Sequence, residues 1–115
     1  MKTITLMTAE AIASGLDLTR PATTAPGINL RSIAIQGIFS IHLILTGSGT
    51  AKVEYLLSHD GVNFLIPSSA SDIVSAFTVG ADIIPFEPEG APYMRLKVSE
   101  VNAAEIVVTL ILTVI

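Results

Sequence analysis

The chain has 115 residues, half of them apolar and only 14% charged, with a net charge of −4 and no cysteine. That length predicts a single domain with room for one core, and so apolar a composition excludes a disordered chain. The missing cysteines exclude disulfide scaffolds, thiol nucleophiles and zinc–thiolate sites, and six scattered basic residues against ten acidic ones exclude the basic stripe of a nucleic-acid binder or an anionic-membrane binder.

Along the chain the dominant pattern is period two with β-branched residues, the signature of strands. Lys2 to Thr8 sets Ile4 and Leu6 against Thr3 and Thr5 and predicts a strand. The same stretch is too broken by Thr to serve as a signal-peptide core. Ala9 to Leu16 has helical composition closed by Ser14-Gly15, which fits one helical turn or a loop. Thr19 to Gly27 carries Pro21 and Pro26 and predicts a connection outside any sheet. Residues 9–27 together read as a loop-rich arm.

Arg31 to Gln36 predicts a strand, interrupted at Gly37. Phe39 to Thr46 places Phe39, Ile41, Leu43 and Leu45 on one face, with Ser40, His42, Ile44 and Thr46 on the other. Gly47-Ser48-Gly49-Thr50 then reads as the turn of an antiparallel hairpin, with Ala51 to Ser58 as its returning strand. His59 to Asn63 is an Asp-Gly turn. Phe64 to Ile66, Ile73 to Val79 and Ala81 to Phe86 predict short strands, and Glu87 to Pro92 a loop. Tyr93 to Val101 alternates Tyr93, Arg95, Lys97 and Ser99 against Met94, Leu96, Val98 and Glu100. Glu105 to Ile115 is the last strand. Its ten final residues, Thr-interrupted, fall well short of the ~20 that a membrane helix needs.

Roughly eight or nine strands with regular turns predict a single all-β domain over residues 1–115, an antiparallel sandwich of Greek-key or jelly-roll type. A small closed barrel is the second choice. The last strand departs from the sandwich pattern. Ile106, Val108, Leu110, Leu112 and Val114 line one side, and Val107, Thr109, Ile111, Thr113 and Ile115 the other. A sandwich strand should be polar on its outer face, and this one offers only Thr. Either the arm of residues 9–27 folds over that face or a partner covers it. The low charge count favours the partner, which makes Val107, Thr109, Ile111, Thr113 and Ile115 the candidate subunit interface.

Residues able to carry chemistry are few. His42 sits mid-strand on the less buried face, and His59 lies in a solvated turn. Ser48 belongs to a turn and not to a nucleophile elbow, so no Ser–His–carboxylate triad can be assembled. A hydrolase would need His42 beside a carboxylate and a hydroxyl in a pocket. Glu87 and Glu89 flank Pro88 in a loop without the aromatic platforms of a glycosidase cleft. Asp60, Asn63 and Asp72 offer loop oxygens, but the EF-hand pattern is absent. Neither a metal nor a cofactor is implied, and the expectation is a protein that is not an enzyme.

One stretch resembles known families. The run Lys52-Val53-Glu54-Tyr55-Leu56-Leu57-Ser58-His59-Asp60-Gly61-Val62-Asn63-Phe64 is a strand followed by a Ser-x-Asp-Gly-x-x-aromatic turn, and Ala91-Pro92-Tyr93-Met94-Arg95-Leu96-Lys97-Val98 follows later. Together, over residues 51–101, these resemble the second half of discoidin-like jelly rolls. They also resemble small β-sandwich structural proteins of tailed bacteriophages, in chains close to this length. Phe64 replaces the Trp of the discoidin turn, and discoidin cysteines are missing, so the phage group is the better fit. The resemblance implies a virion protein that decorates or cements the capsid, homo-oligomeric with a trimer favoured, contacting the major capsid protein or another virion protein. It implies assembly in the host cytoplasm and neither nucleic acid nor membrane as partner. The alternatives are a tail or fibre component, or a discoidin-like carbohydrate-binding module with His59, Asp60, Asn63, Glu87 and Glu89 in its exposed loops.

Overall fold

The computed structural model describes residues 2–22, 27–30, 38–68, 71–88 and 91–114. These form nine strands: β1 (Lys2–Ile12), β2 (Asp17–Arg20), β3 (Ile28–Asn29), β4 (Phe39–Gly47), β5 (Ala51–Ser58), β6 (Val74–Phe77), β7 (Gly80–Phe86), β8 (Tyr93–Glu100) and β9 (Ile106–Val114). All pairings are antiparallel, in two sheets of order β1-β9-β4-β7 and β2-β8-β5-β6, with β3 also on β8. The chain is therefore an all-β antiparallel sandwich, with strands laid out as in a jelly roll. The strand expected over Arg31 to Gln36 lies outside the described residues.

The core is where the two alternating patterns meet. Ile41, Leu43 and Leu45 of β4 and Val108, Leu110 and Leu112 of β9 face Val53 and Tyr55 of β5 and Leu96 and Val98 of β8, all of them buried. Phe39 and Tyr55 each pack against Phe86 at the end of β7, with ring centroids 5.7 and 6.1 Å away.

Three sequence expectations need correction. The hairpin expected of residues 39–58 is not one: β4 and β5 belong to different sheets, and the chain crosses between them at Gly47–Thr50. The crossing needs its glycines. Gly47 has φ +100, a region L side chains rarely adopt, and a Cβ there would stand 2.6 Å from the Glu105 carbonyl oxygen. A Cβ on Gly49 would run into the Ala104 carbonyl oxygen and meet Ile106 Cγ2 at 2.7 Å.

The arm of residues 9–27 is partly strand. Ala9 to Ile12 complete β1, and Asp17–Arg20 form β2. Period two is lost there because β1 changes register between Thr5 and Met7 and again between Met7 and Glu10, with Ala9 at φ +45. The freed Ala9 N–H donates to Thr109 Oγ1 at 3.1 Å. Ala9 to Ile12 thus lie beside β9 in its own sheet and do not cover its outer face. The strand expected over Phe64 to Ile66 is a single bridge, Leu65 with Leu57.

Candidate interaction face

The two sheets carry different outer surfaces. On the β2-β8-β5-β6 sheet the outward rows read Asp17–Ser99–Lys52, Thr19–Lys97–Glu54 and Arg95–Leu56. Lys52 lies 3.8 Å from Glu54 and 3.9 Å from Asp72. The chain also covers part of this surface itself, since Phe64 stacks on Arg95 with the guanidinium carbon 3.9 Å from the ring centroid. This is an ordinary solvated outer face.

The outward rows of the β1-β9-β4-β7 sheet read Thr3–Thr113–Ser40–Pro85, Thr5–Ile111–His42–Ile83, Thr109–Ile44–Ala81 and Ala11–Val107–Thr46. No Asp, Glu, Lys or Arg stands in them. The acidic and basic residues of these strands, Lys2, Glu10 and Asp82, sit at the register of core residues Val114, Val108 and Leu43, on the other side of the sheet. Val107, Thr109, Ile111 and Thr113 are half-buried by their neighbours on β1 and β4, while Ile83 is 66% exposed. Sequence reasoning had only the β9 part of this surface. Register adds His42, Ile44 and Ile83, which no pattern within a single strand could assign to it. Ile115 lies outside the described residues.

The edges of this sheet are guarded. β7, one edge, holds Pro85, which has no N–H to offer another strand. β1, the other edge, carries the two register shifts, a common means of bending an edge away from pairing. Lateral strand addition is therefore disfavoured, and the sheet presents itself through its face.

The other candidate residues are engaged elsewhere or stand apart. Ser58 donates to Asp60 Oδ1 at 2.8 Å and accepts from the Gly61 N–H at 2.9 Å. Asp60 Oδ1 accepts from the N–H groups of Val62 and Asn63, both at 2.8 Å, and the Asn63 amide donates to Oδ2 at 2.7 Å. The N–H of Asn63, that of Val62, the Asn63 amide and the Ser58 hydroxyl, in that order, hold the Asp60 carboxyl well below the usual carboxylate range. The turn thus uses its own oxygens, which leaves Asp60 a loop anchor. His59 and Glu87 are exposed, and Glu89 lies outside the described residues. An open hollow of about 280 Å³ lined by Ile38, Phe39, Pro85, Phe86 and Glu87 holds a single carboxylate. Among the described residues no three His, Asp or Glu side chains converge as a metal site would require.

One buried carboxylate escaped sequence reasoning. Glu100 ends β8 on the core side, 3% exposed. Its Oε1 accepts from the N–H groups of Gly15 and Ala104 at 3.0 and 3.2 Å, and its Oε2 from those of Thr50 and Asn102 at 3.1 and 2.6 Å. These donors belong to the turns β1–β2, β4–β5 and β8–β9, each of which carries the chain from one sheet to the other. Burial pushes the carboxyl upward, but the four N–H bonds outweigh it and set its pKa at about 2. Glu100 ties one end of the sandwich together, with both oxygens committed to backbone.

No family model, curated protein or solved structure matches this chain.

Proposed function

We propose that this chain is a non-enzymatic structural subunit that assembles through the outer face of its β1-β9-β4-β7 sheet, and that it serves in a phage particle, decorating or cementing the capsid. The carrying observation is that four strands present no charged side chain outward, while the opposite sheet of the same small domain is charged in the usual way. A water-facing sheet gains solubility from outward Lys and Glu at little cost to folding, whereas a face buried in an assembly pays heavily for each unpaired charge. The placement in a virion is supported by the resemblance of residues 51–101 to phage structural proteins and by the recurrence of jelly rolls in viral capsids. That second support is a likeness of fold and not of site.

The test is compositional. Particles released from cells carrying this gene and purified on a density gradient should contain the chain in many copies. Its absence from such particles refutes the virion reading. Assembly itself is tested by light scattering on the purified chain, where the mass should exceed that of one chain.

A further inference from the structure

We propose that the uncharged face of the β1-β9-β4-β7 sheet is covered by the same face of a second copy of this chain. The inference rests on the assembly reading above and names its partner. The size is adequate. β4 and β9 run for 9 residues each, and four strands make a surface of ~30 by ~19 Å, so that two copies bury roughly 1,100 Å², just above the ~1,000 Å² of a specific contact. The chemistry selects like for like. The chain carries a net charge of −4, yet this face has no charge with which to recruit a basic or acidic partner and none to repel its twin. Hydroxyls of Thr and Ser interleaved with Ile and Val can pack against the same set, as two sheets do inside a sandwich. Such a pairing is two-fold, each residue meeting its counterpart's neighbours.

The middle of the face is held by His42. Across from it are Ile111 on β9 and Ile83 on β7, and diagonal to it are Thr109, Thr113, Ala81 and Pro85. None of these titrates. Asp82, next to Ile83, lies at the register of core Leu43 on the opposite side of the sheet, and Glu87 lies past the end of β7. A charge introduced into this patch would therefore be buried by a second copy with no opposite charge across from it.

The experiment is sedimentation velocity on the full chain at pH 8, with circular dichroism confirming the fold of each variant. Wild type should be a dimer at pH 8. Ile83→Lys and His42→Glu should each be a folded monomer at pH 8, and Thr19→Lys on the opposite sheet should change nothing. A trimer or ring that Ile83→Lys dissociates overturns the face-to-face pairing and leaves the assembly reading standing, whereas an oligomer unmoved by Ile83→Lys overturns both. A wild-type monomer at pH 8 overturns the pairing as well. It overturns the assembly reading with it, while the virion reading is judged separately, by whether the chain is found in purified particles.

Discussion

Leu110 and Ile111 are adjacent in β9 and point to opposite sides of the same sheet, so truncating each to Ala separates what holds the domain together from what the proposed assembly requires. Leu110 is fully buried in the centre of a strand flanked by β1 and β4. Its neighbours are fixed by the ladder on both sides and cannot collapse into the vacated space. Leu110→Ala should therefore cost ~3–5 kcal/mol, the transfer of the lost atoms plus the cavity. At ~2.1 cal/mol/K per residue over 115 residues, the unfolding entropy is about 0.24 kcal/mol/K, and Tm should fall by roughly 12–20 °C. That fall should be nearly the same at every protein concentration. Ile111 is half-buried in the single chain, so Ile111→Ala should cost the domain only about 1 kcal/mol. Its larger effect should appear through mass action: under the proposed assembly the wild type should gain Tm as concentration rises, because association would stabilise the folded form, and the variant should lose that dependence. Differential scanning calorimetry over a hundredfold range of concentration reads both quantities. A wild-type Tm independent of concentration, or an Ile111→Ala variant whose concentration dependence equals the wild type's, would refute the division of β9 into a core side and a contact side.

The other predictions concern the turns. Glu100 has its pKa lowered from 4.5 to about 2, so its contribution to stability is fully present above pH 4.5 and is lost as pH falls through about 2; Tm measured from pH 6 to 2 should fall more gently in Glu100→Gln, whose Tm at pH 6 starts lower because an amide cannot accept from all four N–H groups. Equal acid slopes in the two proteins would show that Glu100 does not anchor the crossings. Gly49→Ala places a methyl group against the Ala104 carbonyl oxygen, 2.7 Å from Ile106 Cγ2 and 2.8 Å from Glu100 Oε2, and should destabilise by ~1–3 kcal/mol in chemical denaturation. Gly15→Ala meets nothing within 4 Å but has φ +72, so its cost should be backbone strain alone and smaller than that of Gly49→Ala. Asp60→Ala should speed hydrogen exchange at the Val62 and Asn63 amides while leaving Tm almost unchanged, since its bonds close a local exposed turn.

How much was legible in the sequence depended on the range of the determining contacts. β8 and β9 were readable because their alternation is unbroken and one side of each is wholly buried. The end of β1 was not, because two register shifts break the period on which strand recognition depends. The partner of β4 was misread for a different reason. An alternating strand, a Gly-Ser-Gly turn and another alternating strand describe a hairpin and a crossing between sheets equally well. What decides between them is remote, namely the β8–β9 turn pressed against Gly49 and the Glu100 carboxylate on Thr50. The interaction face was legible only along β9. His42 and Ile83 join it through pairings, β4 with β9 and β4 with β7, that no local pattern encodes.

The distribution of protective features separates a contact surface from a merely apolar one. Sheets avoid association by blunting edges and charging faces. Here the edges are treated: Pro85 interrupts β7, β1 is bulged, and β6 is only 4 residues long. The face of the β2-β8-β5-β6 sheet is treated too, with Lys52, Glu54 and Lys97 outward. The face of the β1-β9-β4-β7 sheet alone is left bare. One outward Lys at Ile83 would have little packing to disturb in a single chain, since that side chain is largely exposed on the outer face. A lone domain would gain solubility from such a charge at almost no cost, whereas in an assembly it would be buried without a partner. The low charged fraction of the sequence is therefore concentrated in one broad surface, the outer face of the β1-β9-β4-β7 sheet, and that is the composition the proposed subunit role requires.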